Sequence, residues 1–189
     1  MAPHQMTILY FIMGSLKILN SLNEDDINMC IEFVLNNAVI DNAKIKGFRG
    51  GIFTGFSYND KYKVYNESDI PHIAATYCAL CIIRMSKIDK KEINDRLYRI
   101  YNNTVVLDEE FLLMEVKKSQ KESGNISCQA WDSEDDVRFF YCACAIHRLL
   151  DYKGYEIDVD RGVEYLDSLR NYEGGFGMIK GSESNGKTF

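Results

Sequence analysis

Apolar residues recur at helical spacing along most of the chain. Within residues 23–37 the apolar positions follow i, i+3, i+4, i+7 and i+8, the period of one buried helix face: Ile27, Cys30, Ile31, Val34 and Leu35. Comparable patterns predict further helices at about 72–86, 91–103, 107–119, 135–152 and 158–171. No stretch shows sustained strand alternation, so the pattern predicts an all-α chain.

The first apolar run, from Met6 to Met13, is too short to span a bilayer, which takes about 20 apolar residues. No Lys or Arg precedes the run and no small-residue cleavage site follows it, so we do not expect a signal peptide. We predict a buried first helix and no membrane span. For the helix that follows, Asn23 and Ser21 are the candidate N-caps, and the acidic residues 24–26 suit the positive end of its dipole.

Composition limits the class of protein. The chain has 189 residues, 46% hydrophobic and 26% charged, which excludes wholesale disorder and leaves room for one domain or a large piece of one. Its formal net charge is −6. An acidic balance argues against broad binding to a phosphate backbone, so no nucleic-acid partner is predicted.

The six cysteines indicate a reducing compartment. Most of them lie in apolar runs, where cysteine behaves as a small buried hydrophobe. Cys78 and Cys81 form a C-x-x-C, a spacing also found in redox and zinc sites, but no second C-x-x-C or H-x-x-H accompanies it. We favour packing as the role of this motif and a cytoplasmic location for the chain.

An internal repeat is the most informative feature of the sequence. Short glycine-bearing loops recur at 47–50, 124–127 and 174–177, and each precedes a polar stretch and a helix opening. Aligning Tyr77, Tyr141 and Phe189 places three residues at one equivalent position, five residues earlier: His72, Asp136 and Ser184. The predicted repeat is a glycine turn, a loop, an inner helix and an outer helix.

The last copy of this repeat is cut short. Residues 184–189 correspond to the loop and the first residues of a helix whose apolar body is missing. Paired helices of this kind bury their apolar faces only against neighbouring pairs. The sequence therefore predicts that residues 1–189 form a single incomplete repeat domain, which ends inside a repeat.

Five stretches of the chain carry a family resemblance, and together they run nearly from end to end. They are TILYFIMGSLKILNSL at 7–22, GFRGGIFTG at 47–55, HIAATYCALCII at 72–83, SEDDVRFFYCACAI at 133–146 and YEGGFGMIKGSESNGKTF at 172–189. In this order they resemble the N-terminal part of the β subunits of the protein prenyltransferases, most closely the geranylgeranyl type I members.

The resemblance implies an incomplete α/α barrel (toroid) of helix-pair repeats, with inner helices around a deep apolar pocket and a separate α subunit outside. It also implies transfer of geranylgeranyl from geranylgeranyl diphosphate to the cysteine of C-terminal Cys-aliphatic-aliphatic-Leu peptides of small GTPases. Zinc is the implied cofactor. Because the family's zinc ligands correspond to positions beyond Phe189, no metal ligand is assigned, and we expect no transferase activity from this polypeptide alone.

Site residues follow from the resemblance by position. Those that match the isoprenoid cavity are Thr7, Phe11, Arg138 and Tyr141. Those that match the pocket for the target peptide are His72, Ala74 and Phe139. Residues Asn185, Gly186 and Lys187 lie where the family binds near the diphosphate, although the family has a His-Gly-Gly there and this chain has Asn185 in place of the histidine. No catalytic residue is assigned in the chain.

Ordinary structural roles compete with these assignments. Arg138 follows two acids, so the residues alone favour an ion pair at a helix end, and only the resemblance favours contact with the substrates. A histidine at a helix start, such as His72, is more often a cap or a core residue than a ligand. Aromatic residues at helical spacing are usually core. The Asp pairs at 25–26 and 135–136 do not complete a magnesium-binding D-D-x-x-D, because Met29 and Phe139 occupy the last position.

The subfamily is suggested by several residues that do not all agree. The stretch GFRG, the helix opening at 138–141 and the small Thr7 resemble the geranylgeranyl type I enzyme, since farnesyl-transferring relatives tend to have a tryptophan at that position. Pro71 resembles the farnesyl and Rab-directed relatives. The alternatives to a type I β subunit are therefore one of those relatives, or a non-catalytic helical-repeat subunit that binds an α subunit.

Overall fold

The computed structural model describes residues 4–51, 70–102, 105–128, 136–151 and 153–184. In chain order the elements of this part are α1 (Gln5–Ile18), α2 (Glu24–Asn36), β1 (Ala38–Asp41), β2 (Lys44–Phe48), α3 (Ile73–Ser86), α4 (Lys90–Ile100), α5 (Glu109–Lys118), α6 (Arg138–Leu150) and α7 (Val159–Ser168). The chain divides into two compact units, Met1–Leu112 and Leu113–Phe189, so that α5 begins in the first and ends in the second. The predicted helical class is confirmed.

Polar side chains cap the starts of α2, α4 and α7, and the sequence predicted the first of these caps. Asn23, one of the two candidates, caps α2 by accepting from the Asp26 N–H at 2.8 Å. Aspartates do the same for α4 and α7, where Asp89 accepts from the Glu92 N–H at 2.8 Å and Asp158 accepts from the Arg161 N–H at 3.0 Å. Each cap satisfies one of the backbone donors that a helix leaves unpaired at its start.

The first unit also contains a hairpin that the sequence pattern did not predict. Strands β1 and β2 pair antiparallel, and Asn42 and Ala43 at its turn both have positive φ angles, of 48° and 62°. β1 is almost wholly buried, so its residues show no alternation of apolar and polar positions. A short buried strand such as β1 cannot be separated from a helix segment by periodicity. In β2 the alternation runs only from Lys44 to Lys46 before Gly47, which is too short to identify a strand.

The core of the first unit forms where α3 meets its neighbours. Helix α3 packs against α1, α2 and β2. Phe48 at the end of β2 is fully buried, and its N–H donates to the Thr76 hydroxyl on α3 at 2.9 Å. Gly47, the residue before Phe48, lies close to Pro71, and a Cβ at this glycine would be 2.5 Å from the Pro71 Cβ. The glycine turn is therefore fixed tightly against the start of α3.

Backbone hydrogen bonds confirm the internal repeat. In the second unit, the Ser127 N–H donates to the Ser119 carbonyl at 3.0 Å, and fifty residues later the Gly177 N–H donates to the Leu169 carbonyl at the same distance. In the first unit, the Arg49 N–H donates to the Asn37 carbonyl at 2.9 Å. Each bond joins the end of one helix to the turn that follows, so α2, α5 and α7 hold equivalent places.

Helix α4 departs from the predicted pattern of one inner and one outer helix. The connection from α6 to α7 is short, whereas α4 lies between α3 and α5. Its Arg96 guanidinium donates to the Asn28 side chain on α2 at 2.8 Å and pairs with Glu92 at 2.6 Å. The repeat that begins with α3 therefore contains one helix more than the repeat that begins with α6. The sequence predicted this helix but not its status as an insertion.

A glycine determines how closely α7 approaches α6. A Cβ at Gly162 would lie 1.9 Å from the Phe140 ring. By contrast, a Cβ at Gly14 within α1 would meet no atom within 4 Å.

We predict opposite effects of alanine at these two helical glycines. Gly162→Ala should destabilise the protein by about 1–3 kcal/mol, since the overpacking exceeds the gain in helix propensity. Gly14→Ala should stabilise it by up to about 1 kcal/mol. Urea unfolding monitored by circular dichroism measures both, and equal effects at the two positions would contradict the proposed α6–α7 packing.

An ion pair joins the hairpin to the start of α5. The Lys44 ammonium lies 2.6 Å from the Asp108 carboxylate, and the Phe111 N–H donates to the same side chain at 3.0 Å. The hydrogen bond from Lys44, aided by that from Phe111, lowers the pKa of Asp108 below its ordinary value. Because the folded state favours the charged carboxylate, this group stabilises the fold above the ordinary aspartate range and loses that contribution as the pH falls through it.

We predict that Asp108→Asn, which keeps an acceptor for the Phe111 N–H but removes the ion pair, lowers the free energy of unfolding at neutral pH. The difference from the wild type should disappear as the pH falls below about 4. Unfolding free energies from pH 7 downwards test this. Lys44→Met is the matched control. It removes the other partner of the ion pair, so its unfolding free energy should lose the same part of its dependence on pH. A constant difference between wild type and variant at all pH values would contradict the linkage.

Candidate functional site

The starts of α3 and α6 are built alike. His72 caps α3, its Nδ1 accepting from the Ala74 N–H at 3.2 Å. Asp136 lies two residues before α6, one residue further than His72 lies before α3, and it too accepts from an N–H two residues on, that of Arg138, at 2.9 Å. The predicted equivalence of His72 and Asp136 is thus confirmed by geometry. Because an accepting Nδ1 is unprotonated, the neutral His72 ring carries its hydrogen on Nε2.

The glycine turn of the first unit lies at the same end of its inner helices. The His72 N–H donates to the Phe48 carbonyl at 3.1 Å, and the Met6 N–H donates to the Gly50 carbonyl at 2.8 Å. The starts of α1 and α3 therefore lie together beside this turn. Helix N-termini carry partial positive charge, so this end of the first unit favours an anionic group.

Thr7 lies where α1 contacts α3. Its hydroxyl is 3.9 Å from the Cys78 sulfur. Phe11, one helical turn later, is 63% exposed, and its ring centroid lies 5.3 Å from that of Tyr10. Tyr10 in turn lies 5.9 Å from Tyr77 on α3. The first unit therefore brings the predicted Thr7 and Phe11 together with two further aromatic rings.

Tyr10 and Tyr77 were not predicted as site residues. Tyr10 is three positions after Thr7 and shares its side of α1. Tyr77 is the residue that the repeat alignment matches to Tyr141, which was predicted. The spacing and the alignment therefore contained the information that would have identified both.

One face of α3 and the equivalent face of α6 are less buried than the rest of each helix. On α3 it contains Ala74, Tyr77, Cys81 and Arg84, and on α6 it contains Arg138, Tyr141, Ala145 and Arg148. The members stand at the same spacing on both helices. The two repeats therefore agree in which side chains are less buried. Of the predicted residues, Ala74, Arg138 and Tyr141 lie on these faces.

Arg138 adopts the structural role that competed with the ligand assignment. Its guanidinium donates through Nε to both oxygens of Asp136 at 2.9 Å and through a second nitrogen to Oδ2. Asp136 is only 2% exposed, whereas the Arg138 side chain is 57% exposed. The buried carboxylate therefore orients an open guanidinium, and contact with an isoprenoid diphosphate stays a prediction.

Phe139 and Tyr141 point to different sides of α6. Two residues along a helix correspond to a rotation of about 200°. Phe139 is 6% exposed and belongs to the core, whereas Tyr141 is 62% exposed. Only Tyr141 shares the open face with Arg138. The predicted residues near the diphosphate, Asn185, Gly186 and Lys187, lie outside the described residues.

The C-x-x-C motif packs as the composition indicated. Burial, together with the neighbouring Cys81, raises the pKa of the Cys78 thiol to about 11 despite its hydrogen bond with Thr7. Burial also raises the pKa of Cys81. All six cysteines are free thiols, and the described part of the chain contains no group of three His, Cys, Asp or Glu side chains that could hold a metal ion. A thiol whose pKa is raised is not a ready nucleophile at neutral pH.

Within the described ranges, none of the helices combines the length and the apolar character that crossing a bilayer requires.

The helical repeats and their shared open faces define the class of protein. Residues 1–189 match the family model of the prenyltransferase alpha-alpha toroid domain, and the chain belongs to this family.

Named relatives refine this picture. The chain is 28% identical over 190 residues to the geranylgeranyl transferase type-1 subunit beta of Arabidopsis thaliana, covering 97% of this chain and 46% of the relative. It is also 28% identical over 205 residues to the subunit of the same name from Dictyostelium discoideum, covering 97% and 53%. The chain therefore spans about half the length of the curated relatives it matches.

A solved structure shares the fold. It is that of Candida albicans protein geranylgeranyltransferase-I complexed with GGPP, with a TM-score of 0.71 and 19% sequence identity, covering 97% of this chain and 49% of that one. This likeness confirms the toroid fold that the resemblance implied.

We predict that the cap function of His72 can be separated from any other role. His72→Ala should lower the unfolding free energy by about 1 kcal/mol, because the Ala74 N–H loses its acceptor, and His72→Asn should recover most of that loss. Urea denaturation measures both. Equal destabilisation by the two variants would show that the cap is not what His72 contributes to the fold.

Proposed function

We propose that this chain forms part of the β subunit of a protein geranylgeranyltransferase type I, and that α1 and α3 supply wall to the cavity for the isoprenoid. The observation that carries the proposal is the small Thr7 at the α1–α3 contact, in a chain whose named relatives are type I β subunits. The proposed reaction transfers the geranylgeranyl group to the sulfur of a C-terminal cysteine and releases diphosphate.

The small side chain at position 7 supports a cavity that holds the longer isoprenoid, geranylgeranyl. Thr7 is half-buried, with the aromatic rings of Tyr10, Phe11 and Tyr77 nearby. A bulky residue at this position would occupy space that the last isoprene unit of a geranylgeranyl chain needs. A pocket discriminates chain length by such steric means, at about 1–3 kcal/mol for each methylene gained or lost.

The polar end of the isoprenoid is proposed to lie near the starts of α1 and α3, where the positive ends of the helix dipoles suit a diphosphate. Arg138, Asn185, Gly186 and Lys187 are proposed as donors to the diphosphate because they match the family's positions. Donors that are held in place before charge develops on a leaving diphosphate stabilise its departure.

The target peptide is proposed to meet His72 and Ala74 at the start of α3. The cap fixes the ring of His72 at the start of α3. Phe139 matches the family's peptide pocket by position, and because it is buried, its proposed part is to hold the shape of α6. The proposed peptides are C-terminal Cys-aliphatic-aliphatic-Leu segments of small GTPases, and the proposed partner is a prenyltransferase α subunit in the cytoplasm.

Zinc does not fit the residues that the structure describes. The group of His, Cys and Asp side chains that a zinc site requires is absent from the described ranges. Zinc, which the family resemblance implies, is therefore given no ligand among these residues. The described residues are assigned only to binding and orienting the two substrates.

The alternative of a farnesyl-transferring or Rab-directed β subunit rests on Pro71. The structure offers a packing reason for this proline, because it lies against the glycine turn, where a Cβ on Gly47 would be 2.5 Å from the Pro71 Cβ. A proline with this role does not report on the substrate. The geranylgeranyl type I assignment is accordingly preferred.

A substitution at position 7 tests the proposal. In a complex with the α subunit, Thr7→Trp should weaken binding of a fluorescent geranylgeranyl diphosphate analogue by about tenfold or more, with binding of the farnesyl analogue retained. Tyr98→Trp, on the exposed side of α4, is the control and should change neither. No binding by the wild type, or equal losses for both analogues, would contradict the proposed cavity.

A further inference from the structure

The glycine turn at 47–50 contacts two helix starts through its carbonyl groups. The Phe48 carbonyl accepts from the His72 N–H at the start of α3, at 3.1 Å. The Gly50 carbonyl accepts from the Met6 N–H at the start of α1, at 2.8 Å. Both contacts are made by the backbone of the turn. The positions of the two helix starts therefore depend on what holds the turn in place.

Arg49 lies between these two residues and holds the turn against the end of α2. Its backbone N–H donates to the Asn37 carbonyl at 2.9 Å. Its guanidinium donates through one Nη2 to the Ala38 carbonyl at 3.0 Å and to the Asn36 carbonyl at 3.3 Å. Its Nε donates to the Asn37 carbonyl at 3.5 Å. One side chain thus contacts three successive carbonyl groups at the point where α2 ends.

The end of α2 favours a cation. The carbonyl groups in the last turn of a helix have no donor within the helix, and they carry partial negative charge. Helix α2 has no basic residue in its own last turn. Tyr101 supplies a neutral donor, because its hydroxyl donates to the Leu35 carbonyl at 2.8 Å. The guanidinium of Arg49 supplies the positive charge, and hydrogen bonds from a charged donor are stronger than those from a neutral one.

The other two turns make the same backbone contact without a cation. Ser127 and Gly177 stand where Arg49 stands, and their N–H groups donate to the carbonyls of Ser119 and Leu169. The Ser127 hydroxyl adds a neutral donor to the same Ser119 carbonyl at 3.2 Å, and a glycine has no side chain to add. The guanidinium contact therefore distinguishes the turn that holds the starts of α1 and α3.

We propose that Arg49 is a positioning residue for the cavity assigned to the isoprenoid. By holding the turn on α2, it fixes the starts of α1 and α3 relative to each other. Thr7 directly follows Met6 in α1, and His72 is itself bonded to the turn, so both candidate site residues stand next to the atoms that the turn fixes. Arg49 acts through the turn and is not assigned a contact with substrate. The inference rests on the proposed function, because the cavity is part of it.

Hydrogen exchange of the chain, followed by mass spectrometry, tests the turn without reference to substrate. In Arg49→Met, the peptides that contain the Met6 and His72 amides should exchange about tenfold faster, because their bonds to the turn open more often. Asn23→Ala is the matched control. It removes the cap at the opposite end of α2 and weakens the same helix, so it should leave the exchange of these two peptides unchanged.

Binding of the fluorescent geranylgeranyl diphosphate analogue, in complex with the α subunit, is the second readout. Arg49→Met should weaken binding by about fivefold or more, because a displaced helix start misplaces the cavity wall. Asn23→Ala should leave binding unchanged. Arg49→Lys restores a cation at the end of α2 and should recover most of the binding. If Arg49→Met does not fold by circular dichroism, Arg49→Gln, which keeps amide donors without the charge, should show both changes at smaller size.

Unchanged exchange of the Met6 and His72 peptides in a folded Arg49 variant would overturn the inference, and so would equal changes in Asn23→Ala. Full binding by Arg49→Met would also overturn it, while leaving the proposed function in place. Absence of binding by the wild type would instead contradict the proposed function. The exchange measurement would then still decide whether Arg49 holds the two helix starts.

Discussion

The structure depends on a short backbone turn that follows each of α2, α5 and α7. In the turn an N–H donates back to the carbonyl just past the preceding helix, from Arg49 to Asn37, from Ser127 to Ser119 and from Gly177 to Leu169. Glycines make the turn possible, since Gly124 and Gly174 have φ angles of 89° and 83°, which residues with a Cβ rarely adopt. Once the turns are set, the side chains at the inner-helix starts fall in equivalent places, and the repeat becomes visible in the open faces of α3 and α6.

The sequence predicted the features that depend on periodicity and repetition. The positions of the helices, the Asn23 cap and the equivalence of His72 with Asp136 all follow from spacing, and the structure confirms them. The hairpin escaped prediction because β1 is too uniformly buried to alternate and the alternation in β2 covers only Lys44 to Lys46. That α4 is an insertion was not apparent either, because an amphipathic pattern identifies a helix without saying to which repeat it belongs.

Site residues were harder to predict, because a sequence does not show which partner a polar side chain chooses. Arg138 could be named as a charged donor, but the bidentate contact with buried Asp136 appears only in three dimensions. Phe139 and Tyr141 are near neighbours in the sequence, yet they lie on opposite sides of α6 and differ in exposure from 6% to 62%. Tyr10 is three positions after Thr7 on the same side of α1, so its spacing could have identified it, and the structure adds its contact with Tyr77.

The central claim is that the α1–α3 face of this prenyltransferase-family chain lines an isoprenoid cavity. The most direct measurement is photocrosslinking of a geranylgeranyl diphosphate analogue to the chain in complex with an α subunit, with labelled residues mapped by mass spectrometry. The account predicts labels at Thr7, Phe11 or Tyr77 that unlabelled geranylgeranyl diphosphate abolishes. Labels confined to α2 or α4, or labels that competition does not reduce, would contradict it.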